Sequence, residues 1–300
     1  MTLLTLIKRN TTLFFKDKGM FFTALITPGI LLLLYATFLG NIYRDSFLAS
    51  LPPPLVLSDS IIDGCVGGQL ISSILAVSCV TVAFCSNMLM VQDKVNGTAK
   101  DFAVSPVSSA TLALSYYFAT LISTVIICFF AAALCLIYVG SVGWYMSVSD
   151  VLYLLLDIVL LSFFGTALSS VINFFLSTQG QISAVGSIIS SAYGFICGAY
   201  MPISSFSSGL QRVISFLPGT YGTSLIRNHA MRGVFAEMEK ENVPLTAIES
   251  MKSGIDCNLK FFDHKVTVEQ MYAVLVGSII LLVAVYILQH ALRSKVKKQK

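Results

Sequence analysis

Few side chains in this 300-residue sequence have the types and spacings that catalyse reactions. The histidines, His229, His264 and His290, lie far apart and form no HExxH pattern. The seven cysteines contain no CxxC or Cys/His spacing, so no metal site is predicted. No Gly-Lys pair occurs, which excludes a GxxxxGK[ST] phosphate-binding loop from this sequence. We therefore predict a non-catalytic chain that binds no cofactor itself.

Two polar side chains lie inside long apolar stretches, where they could contribute to transport. Asp157 is about two turns into its stretch, and a carboxylate at such a depth is costly. It either faces a substrate path or a second protomer, or it lies near the interface and reaches the lipid headgroups. Asn173 is near the other end of the same stretch, where hydrogen bonding between helices is an alternative to a place on the path.

The composition predicts an all-α, polytopic membrane protein. The chain is 56% hydrophobic and 11% charged, whereas soluble domains carry roughly 25% charged residues. A helix needs about 20 apolar residues to cross a bilayer. The stretches without charge predict six transmembrane helices, near residues 20–40, 67–92, 110–139, 151–176, 181–200 and 270–291.

Lysine and arginine occur before the first predicted span, between the second and third, and after the last, whereas the first exterior loop has only Arg44 and the third loop has none. The segment at 201–269 holds seven more, but segments of about 70 residues largely escape the positive-inside rule, so these are not counted. The positive-inside rule then places both termini in the cytoplasm, in a plasma membrane or a bacterial inner membrane. This also explains the net charge of +4 without a nucleic-acid partner. The predicted organisation is an amphipathic helix on the cytoplasmic membrane surface at 1–19, five spans at 20–200, an exterior segment at 201–269, and the sixth span with a basic tail at 270–300.

The exterior segment is expected to have two parts. Residues 201–235 contain two short helical stretches, interrupted at Pro218, and each is too short to cross the membrane. They should lie at the outer interface or dip into it. Residues 236–269 are polar and predict a small soluble insert. Cys65 and Cys257 both fall on the predicted exterior, so the sequence allows a disulfide between them.

A short charged segment separates the second apolar stretch from the third. We expect the preceding helix to end near Asn96–Gly97, because glycine tolerates the left-handed conformation found after many helices. The pattern Thr-x-x-Asp ending at Asp101 is a modest capping pair and predicts a short helix over Thr98–Val104. Pro106 should end that helix, because proline cannot continue its hydrogen-bond ladder.

The short helix should present apolar side chains to another protein. Phe102 and Val104 have no core of their own within so short a segment, and they are expected to be exposed and to need a partner's groove. Ser108 or Ser109 can cap the span that follows. The predicted loop is therefore one isolated helical turn or two, held between two long helices.

The sequence "NGTAKDFAVSPVSSATL" resembles the coupling-helix loop of ABC type-2 exporter permeases, in which Gly-Thr and a following Ser/Thr-Pro recur. A second region resembles the family's segment before the last span, with helix breaks at Gly198, Pro202 and Pro218 and then Arg227. Two features depart from the family pattern. Asp93 is the only acidic residue of "QDKVN", and residues 236–269 look like an addition.

The resemblance implies a permease that works with a separate ABC ATPase subunit, which binds ATP and Mg, and with a second permease protomer, identical or not. The ATPase would dock on ten consecutive residues: Gly97, Thr98, Ala99, Lys100, Asp101, Phe102, Ala103, Val104, Ser105 and Pro106. The path between protomers would be lined by the first, second and fifth spans. A path so poor in charge fits an amphipathic or lipid-like cargo, such as a drug, a peptide antibiotic or a lipid-linked molecule.

Two other functions stay open from the residues alone. An ion-gradient-driven secondary transporter usually needs several ionisable groups inside the membrane, and Asp157 is the one available. A membrane sensor could instead bind a ligand at the exterior insert.

Overall fold

The computed structural model describes residues 2–50, 57–262 and 264–298, which are almost entirely helical. In chain order the helices are α1 Leu3–Lys16, α2 Lys18–Leu34, α3 Gly40–Ser50, α4 Asp59–Ser86, α5 Met88–Val95, α6 Thr98–Val104, α7 Ser109–Val142, α8 Val148–Asn173, α9 Gln179–Ile196, α10 Ser208–Ile214, α11 Pro218–Lys240, α12 Leu245–Gly254 and α13 Val268–Lys298. A π-helical turn at Tyr35–Leu39 joins α2 to α3, and a 3₁₀ turn at Ile203–Ser205 precedes α10. A short antiparallel hairpin, β1 Lys260–Phe261 and β2 His264–Lys265, precedes α13.

Five helical stretches of the described residues are long and apolar enough to cross a membrane: Lys18–Asp45, Asp59–Val95, Ser109–Val142, Val148–Asn173 and Val268–Leu292. They coincide with the first four predicted spans and the last. The remaining predicted span corresponds to α9, which has 18 residues and is rich in glycine, serine and glutamine. It is helical, but it does not reach the hydropathy of the other five.

The N-terminal helix α1 has one buried side and one exposed side. Leu6, Asn10 and Phe14 recur every four residues and are buried, mainly against α7. Lys8 and Lys16 are exposed on the other side. The helix is therefore packed onto the bundle, while its place at a membrane surface stays a prediction.

The centre of the bundle is α4, which is buried along almost its whole length and packs against α2, α7, α8, α9 and α11. Small side chains permit this crowding. A Cβ atom on Gly165 of α8 would lie 2.8 Å from the carbonyl oxygen of Cys79 on α4, so a larger residue there would push the two helices apart. The second predicted span is therefore an internal helix of the protomer.

Helix α11 differs from its prediction. The apolar pattern suggested a short piece ending near 235, with a soluble insert from 236, but α11 runs as one helix from Pro218 to Lys240. Its buried residues continue to Met238, so the boundary at 235/236 is wrong. Proline is accommodated because its missing N–H is not needed at the first helical position. Instead of lying on a surface, α11 packs among α4, α8 and α13.

The two cysteines of the predicted disulfide lie on different elements. Cys65 on α4 and Cys257 after α12 are both free and buried, so the disulfide is absent from the structure. Burial raises the pKa of the Cys257 thiol to about 12. Disulfide formation proceeds through the thiolate, so this environment opposes oxidation.

Candidate functional site

The loop between α5 and α7 has the predicted shape. Helix α5 ends at Val95, and Gly97 adopts a left-handed conformation with φ of 84°. Helix α6 then occupies Thr98–Val104, the predicted bounds. The prediction of a side-chain cap by Thr98 is wrong, because Gly97 is the N-cap and no side chain caps this helix.

The connection from α6 to α7 is also short. Ser105 is extended, with ψ of 161°, as expected for a residue that precedes proline. After Pro106, the Ser108 hydroxyl accepts a hydrogen bond of 3.1 Å from the backbone N–H of Thr111 and caps α7. Few residues separate α6 from the long helices on either side, so its movement is tied to theirs.

Arg9 of α1 links the start of this loop to the bundle. Its guanidinium donates to both oxygens of Asp93, with N–O distances of 2.8 and 3.2 Å. The Tyr116 hydroxyl of α7 donates to the same carboxylate at 2.5 Å. Asp93 is 5% exposed, so this buried charge depends on these donors. Three helices, α1, α5 and α7, therefore meet at one carboxylate.

Arg9 also holds α6. Its guanidinium lies 5.1 Å from the centre of the Phe102 ring, the geometry of a cation–π interaction. Phe102 is only partly exposed, so the expectation of a free Phe102 is wrong, because this ring packs on α1. Val104 fulfils the expectation, since 90% of its surface is exposed.

The outer side of α6 has mixed chemistry. Lys100, Asp101, Val104 and Pro106 are exposed there. Together they form a small surface with one charge of each sign beside an apolar patch. Such a surface can be recognised by a groove of another protein.

Lys94 joins the loop to the connection between α8 and α9. Its ammonium group donates to the backbone carbonyls of Asn173, Phe174 and Leu176 at 2.9, 2.8 and 2.9 Å. These are carbonyls at a helix C-terminus, where a cation is favourable. Asn173 is buried and belongs to this junction. The structure does not place it beside the predicted path residue Asp157.

Asp157 lies in a polar cluster within the protomer. It is 1% exposed, so it does not reach the headgroups. One carboxylate oxygen is 2.6 Å from Nδ1 of His229 on α11, and the other accepts a 2.6 Å bond from the Tyr272 hydroxyl on α13. The His229 ring stacks on Tyr153 at 5.0 Å. The cluster joins α8, α11 and α13, and sequence spacing could not reveal it because its members are 72 and 115 residues from Asp157.

Arg227 contacts one of the predicted helix breaks, Gly198, together with α4 and the end of α12. Its guanidinium donates to the carbonyls of Gly198 and Ile255 at 3.0 and 2.6 Å, and to the hydroxyls of Ser72 and Ser73 on α4. Gly198 follows the end of α9 and has φ of 74°, a conformation that glycine adopts readily. The side chain of Arg227 is 1% exposed, so it acts as an internal bracket.

The two predicted proline breaks mark the ends of one connection. Pro202 immediately precedes the 3₁₀ turn, and Pro218 is the first residue of α11. Between them α10 forms a short arm. The connection turns the chain back into the bundle after α9.

A family model described as ABC-2 type transporter matches residues 1–230. The matched part contains α1, the α6 loop and the first half of α11. It stops before the insert and the last span. No curated protein matches the chain.

Proposed function

This chain belongs to the ABC-2 type transporter family, and we propose that it is the permease subunit of an ATP-driven exporter whose energy comes from a separate ATPase subunit. The family and the five apolar helices make it a multi-pass membrane transporter protein. The sequence has no GxxxxGK[ST] motif, which fits the supply of ATP hydrolysis by another chain.

One observation carries the proposed coupling: α6 is exposed at Val104 and anchored at Phe102. A partner that binds the exposed side would move α6. Arg9 of α1 contacts α6 at Phe102, and its bonds with Asp93 connect this pair of helices to α5 and α7. Lys94 extends the connection to the end of α8. A displacement of α6 would thus reach several membrane helices at once.

Both ends of the described chain support cytoplasmic termini. α1 contacts the α6 loop through Arg9. Near the end of α13, the Tyr286 hydroxyl is 3.3 Å from the carbonyl oxygen of Ala113 at the start of α7. Both ends of the described chain therefore lie on the side of α6, where Lys94 and Lys100 also fall, and the positive-inside rule favours the cytoplasmic side of a cell membrane for them.

In this proposal α9 is the fifth of six spans. Its 18 residues extend about 27 Å at ~1.5 Å per residue, close to a hydrocarbon core of about 30 Å. α9 exposes Ile188 and Phe195, and α2 exposes Phe22 and Ile26. These two helices offer the surfaces for a second protomer and a path. α4 is buried, so the predicted contribution of the second span to the path requires a conformational change.

The cargo proposed is amphipathic or lipid-like, because the exposed side of α2 is apolar, whereas α9 exposes both apolar side chains and serines such as Ser187 and Ser191. A secondary transporter is the second candidate, and the buried Asp157–His229 pair is the observation that favours it, since such pairs carry protons in some transporters. The ATP-driven exporter requires a separate ATPase subunit, whereas a secondary transporter works without one.

Purification of the intact complex in mild detergent tests the proposal. We expect an ATP-binding subunit to copurify and transport in reconstituted vesicles to require ATP. Transport by the isolated chain, driven by a proton or sodium gradient alone, would overturn the proposal and favour the secondary transporter.

A further inference from the structure

A cavity of about 400 Å³ lies between α10, the start of α11 and the segment that follows α12. Its volume is within the range of small-molecule sites, which is about 300–1,000 Å³. It lies outside the α6 region and outside the Asp157 cluster. The residues of the insert, which the sequence left without a role, form one of its walls.

The charges around the cavity favour an anion. Arg212 of α10 and Lys260 of β1 both line it. Among the residues that the structure describes, neither side chain forms an ion pair with a carboxylate. Asp256 supplies an acidic group of the lining, but it is 6% exposed, it accepts a 2.8 Å bond from the backbone N–H of Ile203, and it lies 3.6 Å from Arg227. The accessible charge is therefore positive.

Hydroxyl groups line the cavity together with the two cations. Ser204 and Ser208 line the cavity and are exposed to it. A phosphate or carboxylate oxygen accepts readily from hydroxyl groups and from the planar fork of an arginine. The lining thus has the donors of an anion site.

The mouth of the cavity is apolar. Phe216, Phe261 and Phe262 form a cluster with ring centres 5.0 to 6.0 Å apart, and 63%, 36% and 48% of their surfaces are exposed. Phe262 lines the cavity and its ring lies 5.8 Å from the Arg212 guanidinium. It has φ of 52°, a strained conformation for a bulky residue. The backbone therefore holds an aromatic ring in the open beside a cation.

We propose that this cavity binds the anionic headgroup of an amphiphile at Arg212 and Lys260, with the apolar part of the ligand on the three phenylalanines. A water-soluble anion would use the cations and leave the rings unused, whereas a neutral lipid would do the reverse. An amphiphile whose headgroup carries a net negative charge on a phosphate or carboxylate uses both. It is either a resident membrane lipid or the exported cargo.

Binding is measured on the full chain in detergent micelles without ATP, with labelled phosphatidylglycerol and with phosphatidylcholine that has the same acyl chains and label. We expect about ten-fold tighter binding of phosphatidylglycerol, the size of effect that two charge-assisted contacts support. Arg212→Gln with Lys260→Gln should remove the preference, and Arg212→Lys with Lys260→Arg should keep most of it. Equal binding of the two lipids by the wild-type chain would overturn the site.

Lys265→Gln is the matched control. Lys265 is the strand partner of Lys260 in the hairpin, but it pairs with Glu249 and does not line the cavity. This variant should keep the preference. If it loses the preference as the double variant does, general surface charge explains the binding and the site is rejected.

The alternative to a lipid is that the three phenylalanines contact a second copy of the chain. If Phe262→Ser turns a dimer into a monomer and leaves the lipid preference unchanged, the aromatic patch is a protomer contact and the ligand assignment of the mouth is wrong. Weaker lipid binding without a change in oligomeric state supports the proposal.

Vesicles that contain the chain with its ATPase subunit distinguish the two sources. ATP-dependent movement of labelled phosphatidylglycerol that the double variant loses identifies the cargo. Binding without movement identifies a resident lipid, and both results support the anion site. Because the binding assay needs no ATPase, its failure would leave the proposed coupling untouched.

Discussion

Two arginines organise opposite ends of this molecule in different ways. Arg227 is 1% exposed, and the bonds it donates go mostly to backbone carbonyls and core hydroxyls. Arg9 is 26% exposed and contacts one carboxylate, the side-chain oxygen of the neighbouring Asn10 and one aromatic ring. A buried arginine with many partners, such as Arg227, holds the helices and loops around it in one arrangement. A partly exposed link to a short helix is suited to transmit a movement, because fewer contacts must rearrange.

The largest effect is expected from Arg227→Ala. The change leaves two carbonyls and Asp256 buried without their partner, which costs about 3–5 kcal/mol. This corresponds to a fall of about 10 °C in Tm for a chain of this size. Thermal unfolding of the purified protein measures it. Lys240→Ala, an exposed change on the same helix, should shift Tm very little, and equal shifts for the two variants would contradict the bracket.

A smaller loss of stability but a large loss of transport is expected from Arg9→Gln. The variant removes the charged partner of Asp93 and the contact with Phe102, at a cost of about 1–2 kcal/mol because Tyr116 remains. ATP-driven transport in vesicles should fall about ten-fold or more while the complex still assembles. Lys8→Gln is the control, since Lys8 is exposed on the same helix. Transport at the wild-type level in Arg9→Gln would remove Arg9 from the coupling.

The stability of the region around Arg227 should also depend on pH. Burial raises the pKa of Asp256 to about 6, although the charge of Arg227 opposes the shift. A carboxyl whose pKa is higher in the folded state contributes stability that is complete below its unfolded pKa, about 3.9, and is lost as the pH rises through about 6.

The difference in Tm between wild type and Asp256→Asn, followed from pH 4.5 to 7.5, measures this contribution. Relative to the variant, the wild-type protein should lose stability as the pH rises. A difference that does not change with pH would contradict the shift. Lys240→Ala, compared with wild type in the same way, serves as the control, because it leaves Asp256 and Arg227 in place.

Val104→Asp should have the smallest effect on stability. The side chain is 90% exposed, so a carboxylate replaces an isopropyl group already in contact with solvent. Tm should change by less than about 2 °C, the range of most surface substitutions. Its effect should appear only in the contact with the ATPase.

The sequence predicted what local chemistry decides. Gly97 and Pro106 set the limits of α6, and both act on the backbone beside them. The charge-free stretches located five apolar helices for the same reason, since length and hydropathy are local. The resemblance was confirmed over residues 1–230.

The predictions that were wrong or incomplete concern residues whose contacts are distant in sequence. Phe102 looked exposed because nothing near it in sequence covers it, and Arg9 is 93 positions away. The full length of α11 was missed because a helix buried on most sides shows little amphipathic pattern. The partners of Asp157 and Arg227 also come from other helices. These polar clusters need the fold to be known first.

The central claim is that an ATPase subunit binds the exposed side of α6. Copurification of the ATP-binding subunit with Val104→Asp tests it most directly, with Val148→Asp, at a valine 79% exposed at the start of α8, as the matched control. We predict that Val104→Asp yields a folded chain without the ATPase and that Val148→Asp retains it. Retention of the ATPase and of full transport by Val104→Asp would contradict the account.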